Sequence, residues 1–232
     1  MNTMKKLAAL IALALPVHAA TESRTVEVSF YCFKYAPGVE TVQVANGETS
    51  KSIRLSTANI TEPVSLPVND NQAVILRADQ ALPAAKLKIP AEIGKALVVL
   101  MPSPSGSAEP YHAFAIDYGH EKFPLGTYRL VNVSKHAVRG AIGRSYAEVK
   151  PGGIAGIELQ GENGATQGAK FEFLEEGKWN RLTETRCAVR RDRRWLVCVY
   201  QDPATKRMNL RSIPDRTVNL VTASNATASI AE

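Results

Sequence analysis

The mature part of the chain reads as all-β, folded as two sandwich-like, immunoglobulin-like domains in tandem. Three observations lead there. Apolar residues recur at every second position over short segments, Gly, Pro, Asn and Asp separate those segments at close intervals, and no helix-length window keeps a 3.6-residue period without a Gly or Pro inside it. The segment 25–33 shows the pattern: Val26, Val28, Phe30 and Cys32 face one way, Thr25, Glu27, Ser29 and Tyr31 the other, as in a strand with one face buried.

Further strands are expected at 39–44, 52–56, 73–77, 86–89, 96–101 and 111–118, then at 126–133, 138–142, 146–149, 154–159, 170–174, 181–189, 195–200 and 208–213. The run 96–101 is apolar on both faces and therefore reads as a central strand. The stretch from Pro102 to Pro110 is a loop by composition, and the strands on either side of it pair across it. Glu175 and Glu176 before Gly177 mark another hairpin turn.

With 232 residues, the chain has room for one large domain or two of ordinary size, at about 150 residues each. A hydrophobic fraction of 45% is enough for a core. The division falls near 119–123, giving a first sandwich at 21–121 and a second β-rich domain at 122–220; the alternative is one large two-sheet sandwich. The segment 221–232 is small and polar, a loose tail unable to bury enough surface to offset its ordering entropy. No internal repeat is legible.

The segment 1–20 has the layout of a secretory signal peptide: Lys5 and Lys6, the apolar run 7–15, Pro16, and small residues up to a cleavage point after Ala19 or Ala20. A run this short does not span a bilayer, which takes about 20 apolar residues. The first cysteine is Cys32, so no lipid-attachment cysteine follows the run. The expected location is the bacterial periplasm or the outside of the cell, with no transmembrane segment in the mature chain. Removing the two lysines lowers the formal net charge by two from +6, too mild a balance to imply nucleic acid.

The stretch Phe123-Pro-Leu-Gly-Thr-Tyr-Arg-Leu-Val-Asn-Val-Ser134 resembles the F-P-x-G-x-Y-R-x-x-N-x-S segment of a family of secreted, β-rich bacterial proteins without an assigned activity. The resemblance implies export and a β-rich fold. Read from the residues alone, Pro124 and Gly126 form a turn, and Tyr128 and Leu130 then face one way while Val131 and Val133 face the other.

Candidate chemistry is sparse. If Asp192 and Arg193 are the turn of a hairpin, Cys187 stands opposite Cys198 and Val189 opposite Leu196. Directly opposed residues lie within disulfide range, so Cys187 and Cys198 are either a disulfide or two buried thiols. Cys32 is then a core residue. His112, Asp117, His120 and Glu121 are close enough in sequence to suggest metal ligands, but alternation sends His112 and Asp117 to opposite faces, and His112 reads as a core histidine. No nucleophile elbow, phosphate loop or redox Cys pair is present, and no cofactor is implied.

The most unusual feature is basic: Arg186, Arg190, Arg191, Arg193 and Arg194 surround Asp192, with Trp195 beside them. Guanidinium forks bind carboxylate, sulfate and phosphate, and an indole offers a stacking face. These six residues form a candidate tip for an anionic glycan or surface. The competing reading is a solvated hairpin end whose arginines pair with Glu172, Glu175 and Glu184. The function expected is a non-catalytic binding or assembly module of the bacterial envelope, its partner an envelope protein or an anionic polysaccharide. The enzyme alternative is a metal-dependent activity at His112, Asp117 and His120.

Overall fold

The computed structural model describes residues 23–46, 49–202 and 205–215. The segment 1–20, read above as an export signal, and the tail at 221–232 lie outside the described residues. Among those described there is no helix, and hence none long and apolar enough to cross a membrane. The first half contains β1 (Ser23–Cys32), β2 (Thr41–Asn46), β3 (Thr49–Arg54), β4 (Val64–Asn69), β5 (Gln72–Arg77), β6 (Pro83–Lys88), β7 (Lys95–Pro102) and β8 (Tyr111–Asp117). The second contains β9 (Thr127–Asn132), β10 (Val138–Ile142), β11 (Ser145–Val149), β12 (Ile154–Glu158), β13 (Thr166–Glu175), β14 (Lys178–Ala188), β15 (Trp195–Gln201) and β16 (Met208–Pro214).

The strand missing from the sequence reading is β4. Pro67 lies inside it, and a proline in an alternating run argues against a strand. Pairing explains how it is accommodated. β4 is bonded along its length to β1, with Pro67 opposite Thr25, but meets β5 only at Asn69↔Gln72. Its other edge is largely spare, so a residue without an N–H costs little there.

The two halves have the same wiring. In the first, β4-β1-β7-β8 are neighbours and β3-β2-β5-β6 are neighbours; in the second, β12-β9-β15-β16 and β11-β10-β13-β14. Counted from the start of each half, both sheets read 4-1-7-8 and 3-2-5-6. Orientation repeats as well: the first strand runs parallel to the seventh, as β1 to β7 and β9 to β15, and the other shared pairings are antiparallel. The halves differ in one respect, the Asn69↔Gln72 pair, which joins the first half into a single eight-stranded sheet folded over on itself.

Each half encloses its own core. Val26, Val28, Phe30, Val98 and Leu100 meet Val42, Val44, Ile75 and Leu87 in the first. Tyr128, Leu130, Val197 and Val199 meet Val138, Ile142, Ala169 and Phe171 in the second. Gly140 is required there, because a Cβ at that position would come within 2.6 Å of the Phe171 ring.

A third cluster joins the halves: Tyr31, Phe33, Leu97, Val99, Met101 and Ile116 pack against Val131, Leu196, Cys198 and Ile213. The 4-1-7-8 sheets therefore stand back to back. This accounts for the apolar pattern on both faces of β7, and for Tyr128 and Leu130 facing one core while Val131 and Val133 face the other. Strand pairing divides between Asp117 and Thr127, whereas side-chain packing is continuous across that point.

Candidate functional site

The segment between β14 and β15 is not a hairpin. β14 pairs with β13, and Cys187 faces Gln167; β15 pairs with β9 and β16, and Cys198 is opposite Val131 and Arg211. The chain passes here from the outer sheet to the inner one. Cys187 and Cys198 consequently belong to different sheets, and all three cysteines are free thiols. The expected facing of the two thiols is corrected: alternation alone does not separate a hairpin from a short crossing between layers. Cys32 and Cys198 are buried, and burial pushes the Cys32 thiol up to about 11 and raises that of Cys198 as well. Cys187 is half-buried with its thiol raised, mainly by burial.

The same crossing splits the arginine cluster. Arg194 is 2% exposed and forms the interior of the junction between halves. Its Nε donates to Asp215 at 2.6 Å, and its Nη1 to the carbonyls of Phe123 at 2.5 Å and Tyr118 at 3.3 Å. The guanidinium lies 4.1 Å from the Tyr118 ring centre and 4.8 Å from that of Phe123. Arg190 and Arg193 share Asp192, at 2.8 and 3.1 Å, and those bonds, Arg190's first, hold its carboxyl well below the usual range. Arg191 donates to the Gly161 carbonyl at 2.9 Å. Trp195 is stacked on Tyr128, with ring centres 4.9 Å apart and planes 8° from parallel. Arg186 alone of the five arginines points from β14 into an open surface with neither an ion pair nor a hydrogen bond among the described residues. The carboxylates expected as partners are used elsewhere: Glu172 by Arg139 and Lys170, Glu184 by Arg181.

His112 is exposed, stacked at 6.2 Å on Phe114, and not a core histidine; on the outer strand β8, its side of the sheet faces solvent at that end. His120 and Glu121 lie exposed in the following loop, and the Asp117 carboxylate accepts from the Gly119 amide at 3.0 Å. No group of three or more His, Cys, Asp or Glu side chains is arranged for a metal ion among the described residues.

The residues of the 123–134 stretch have architectural tasks. Phe123 is buried beneath Arg194, and Gly126, at φ 75°, passes close to Arg191. Tyr128 carries Trp195, and Arg129 lies over Phe123 at 5.4 Å. Asn132, fully buried, donates to the carbonyls of His136 at 2.7 Å and Val149 at 3.1 Å and accepts from Ser134.

A surface that sequence reasoning did not single out lies on the outer face of β11-β10-β13-β14. Cross-strand register sets its rows: Tyr146, Ala141, Lys170 and Glu184 in one, and Gly168 with Arg186 in the next. Beyond them, Arg139 bonds to Glu172 at 2.6 Å and lies over Trp179 at 4.2 Å. The Glu172 carboxyl is lowered by Lys170 and by Arg139. Ala141, Gly143, Gly168 and Ala169 leave an open trough of about 640 Å³ rimmed by Lys170, Glu184, Thr185 and Arg186. The signal for it was faint: Glu184 and Arg186 two positions apart on one strand, opposite Lys170 and Gly168 on its neighbour. In comparisons with known proteins, no family model and no curated protein matches this chain.

Proposed function

We propose that the chain is a non-catalytic binding or assembly module of the bacterial envelope, exported by the segment 1–20, that engages its partner through the outer sheet surface of its second half. The observation that carries this reading is the placement of the cations. Arg194 is consumed by the junction and Arg190 and Arg193 by Asp192, while Arg186 remains exposed beside Lys170 on an open sheet face. Sandwiches commonly act through faces, edges and loops, and this face presents polar side chains at strand spacing over four strands.

The test has two parts. Expressed in a bacterium, the full chain should be recovered by osmotic shock with a mass shortened by the export segment; Leu10→Arg should leave it uncleaved in the cytoplasm. The purified mature chain should sediment with isolated envelope fragments at low salt and be released at about 1 M salt, where the Debye length is about 3 Å. A chain retained uncleaved in the cytoplasm, or one that stays in the supernatant at low salt, refutes the proposal.

A further inference from the structure

We infer that the trough on β11-β10-β13-β14 is a binding site for a carboxylate-bearing polysaccharide, an inference that rests on the binding-module reading and names its ligand. Its floor is bare. The Gly143 amide donates to the Gly168 carbonyl at 2.9 Å, and Gly168 in turn faces Arg186 across the β13–β14 pair. Ala141 separates Tyr146 from Lys170, so those two side chains rise about 10 Å apart, two strand spacings, with nothing larger than a methyl group between them. That gap takes a flat sugar ring lying against the sheet.

The charge at this end is not neutralised. Arg144 follows Gly143 in the β10–β11 turn and is exposed, as is Arg186, and neither has an ion pair or hydrogen bond among the described residues. Glu184, the acid on the rim, is taken by Arg181 at 3.4 Å, and Lys170 stands 2.8 Å from a Glu172 that it shares with Arg139. One unpaired guanidinium fork, that of Arg186, therefore lines the trough, a second is carried by the turn residue next to its Gly143, and a planar fork matches a carboxylate in two parallel bonds.

Tyr146 supplies the stacking face. It is 57% exposed, and its hydroxyl donates to Glu148 at 2.9 Å, which holds the ring on the sheet surface. Across Ala141 from that ring, the trough's own polar lining, Thr185, Glu184 and Lys170, offers donors and acceptors suited to hydroxyl groups. It offers no apolar pocket for a lipid chain or a hydrophobic peptide anchor, because its apolar members are Ala141 and Ala169.

The repeated wiring provides an internal control. Lys86 and Lys88 lie on β6, the end strand of the matching 3-2-5-6 group in the first half, as β14 is in the second. Electrophoresis of the native mature chain through gels cast with polygalacturonate should show retardation absent from gels cast with neutral dextran. Arg144→Gln with Arg186→Gln should weaken the apparent affinity about tenfold and flatten its salt dependence. Tyr146→Ala should weaken it with the salt slope unchanged, and Lys86→Gln with Lys88→Gln, the same loss of charge, should leave it as in the parent. Equal weakening by the Lys86/Lys88 pair, or none by the Arg144/Arg186 pair, overturns the inference. So does binding to phosphatidylglycerol vesicles without retardation by polygalacturonate. A chain that sediments with envelope but ignores polygalacturonate overturns this inference alone; one that does neither overturns the binding-module reading too.

Discussion

Replacing Arg194 by Ala removes a buried side chain that ties the second strand system to the loop between the halves. Arg194 and Asp215 are each 2% exposed, so the substitution takes the guanidinium away from a buried carboxylate and the donor away from the carbonyls of Phe123 and Tyr118. Breaking a buried pair from one side costs about 3–5 kcal/mol. The lost contacts with the Tyr118 and Phe123 rings add about 1 kcal/mol. The sum, about 4–6 kcal/mol, is a large share of the roughly 5–15 kcal/mol that holds a typical protein folded. At about 2–4 °C per kcal/mol for a chain of this size, Tm should fall by roughly 8–24 °C. Calorimetry and urea titration would measure it. Arg194→Met with Asp215→Leu should recover a large part of the loss, since no unpaired charge remains. Arg190→Ala, at an exposed pair, should leave the urea midpoint where it was. An Arg194→Ala protein destabilised by less than about 1 kcal/mol, the range of an exposed ion pair, would refute the reasoning.

Three further outcomes follow from packing and protonation. Gly140→Ala should destabilise by about 1–3 kcal/mol, because its new methyl group collides with the Phe171 ring. Gly156→Ala, with open space around it, should be neutral or stabilising in the same urea titration. Unreduced protein should titrate three thiols after unfolding. In the native state a thiol reagent should reach Cys187 first, Cys32 and Cys198 being buried and their thiolates suppressed; a mass two units lower before reduction would contradict this. The urea midpoint should fall as pH rises above about 9. Burial raises the protonation constants of Tyr31, Tyr111, Tyr128, Cys32 and Cys198 in the folded chain. The unfolded chain releases those protons near the ordinary values of about 8.5 and 10, so stability is full below them and is lost as pH climbs. A midpoint flat from pH 7 to about 11 would contradict it.

The fold was legible where one face of a strand is wet. Val26, Val28 and Phe30 against Thr25 and Glu27 place β1 directly, and Pro102 to Pro110 marks the β7–β8 loop. Pro67 hid β4, because its tolerance depends on which edge of the strand is paired, a tertiary fact. The repeat escaped notice because few equivalent positions share a residue type, Leu97 with Leu196 and Val98 with Val197 being two that do. Aligned by register, Phe30 corresponds to Leu130, Cys32 to the buried amide Asn132, and Ala96 to Trp195. The arginine cluster misled for a related reason. Adjacent in sequence, Arg186, Arg190 and Arg194 end on an outer face, in an exposed ion pair and in a buried junction, because the chain changes layers between them. The trough draws Tyr146, Ala141, Lys170 and Arg186 from four strands, and strand order is what assembles it.

A polypeptide that specifies one connection scheme twice also offers each sheet two candidates for completion. The β7–β8 and β15–β16 hairpins both seek a parallel first strand, so during refolding either can seat against β1 or β9. One difference that tells them apart is bulk: the indole of Trp195 stacks on the Tyr128 ring, where the first half sets Ala96 beside Val28. Trimming both aromatic rings would erase that label, and exchanged closure would then compete with the native arrangement.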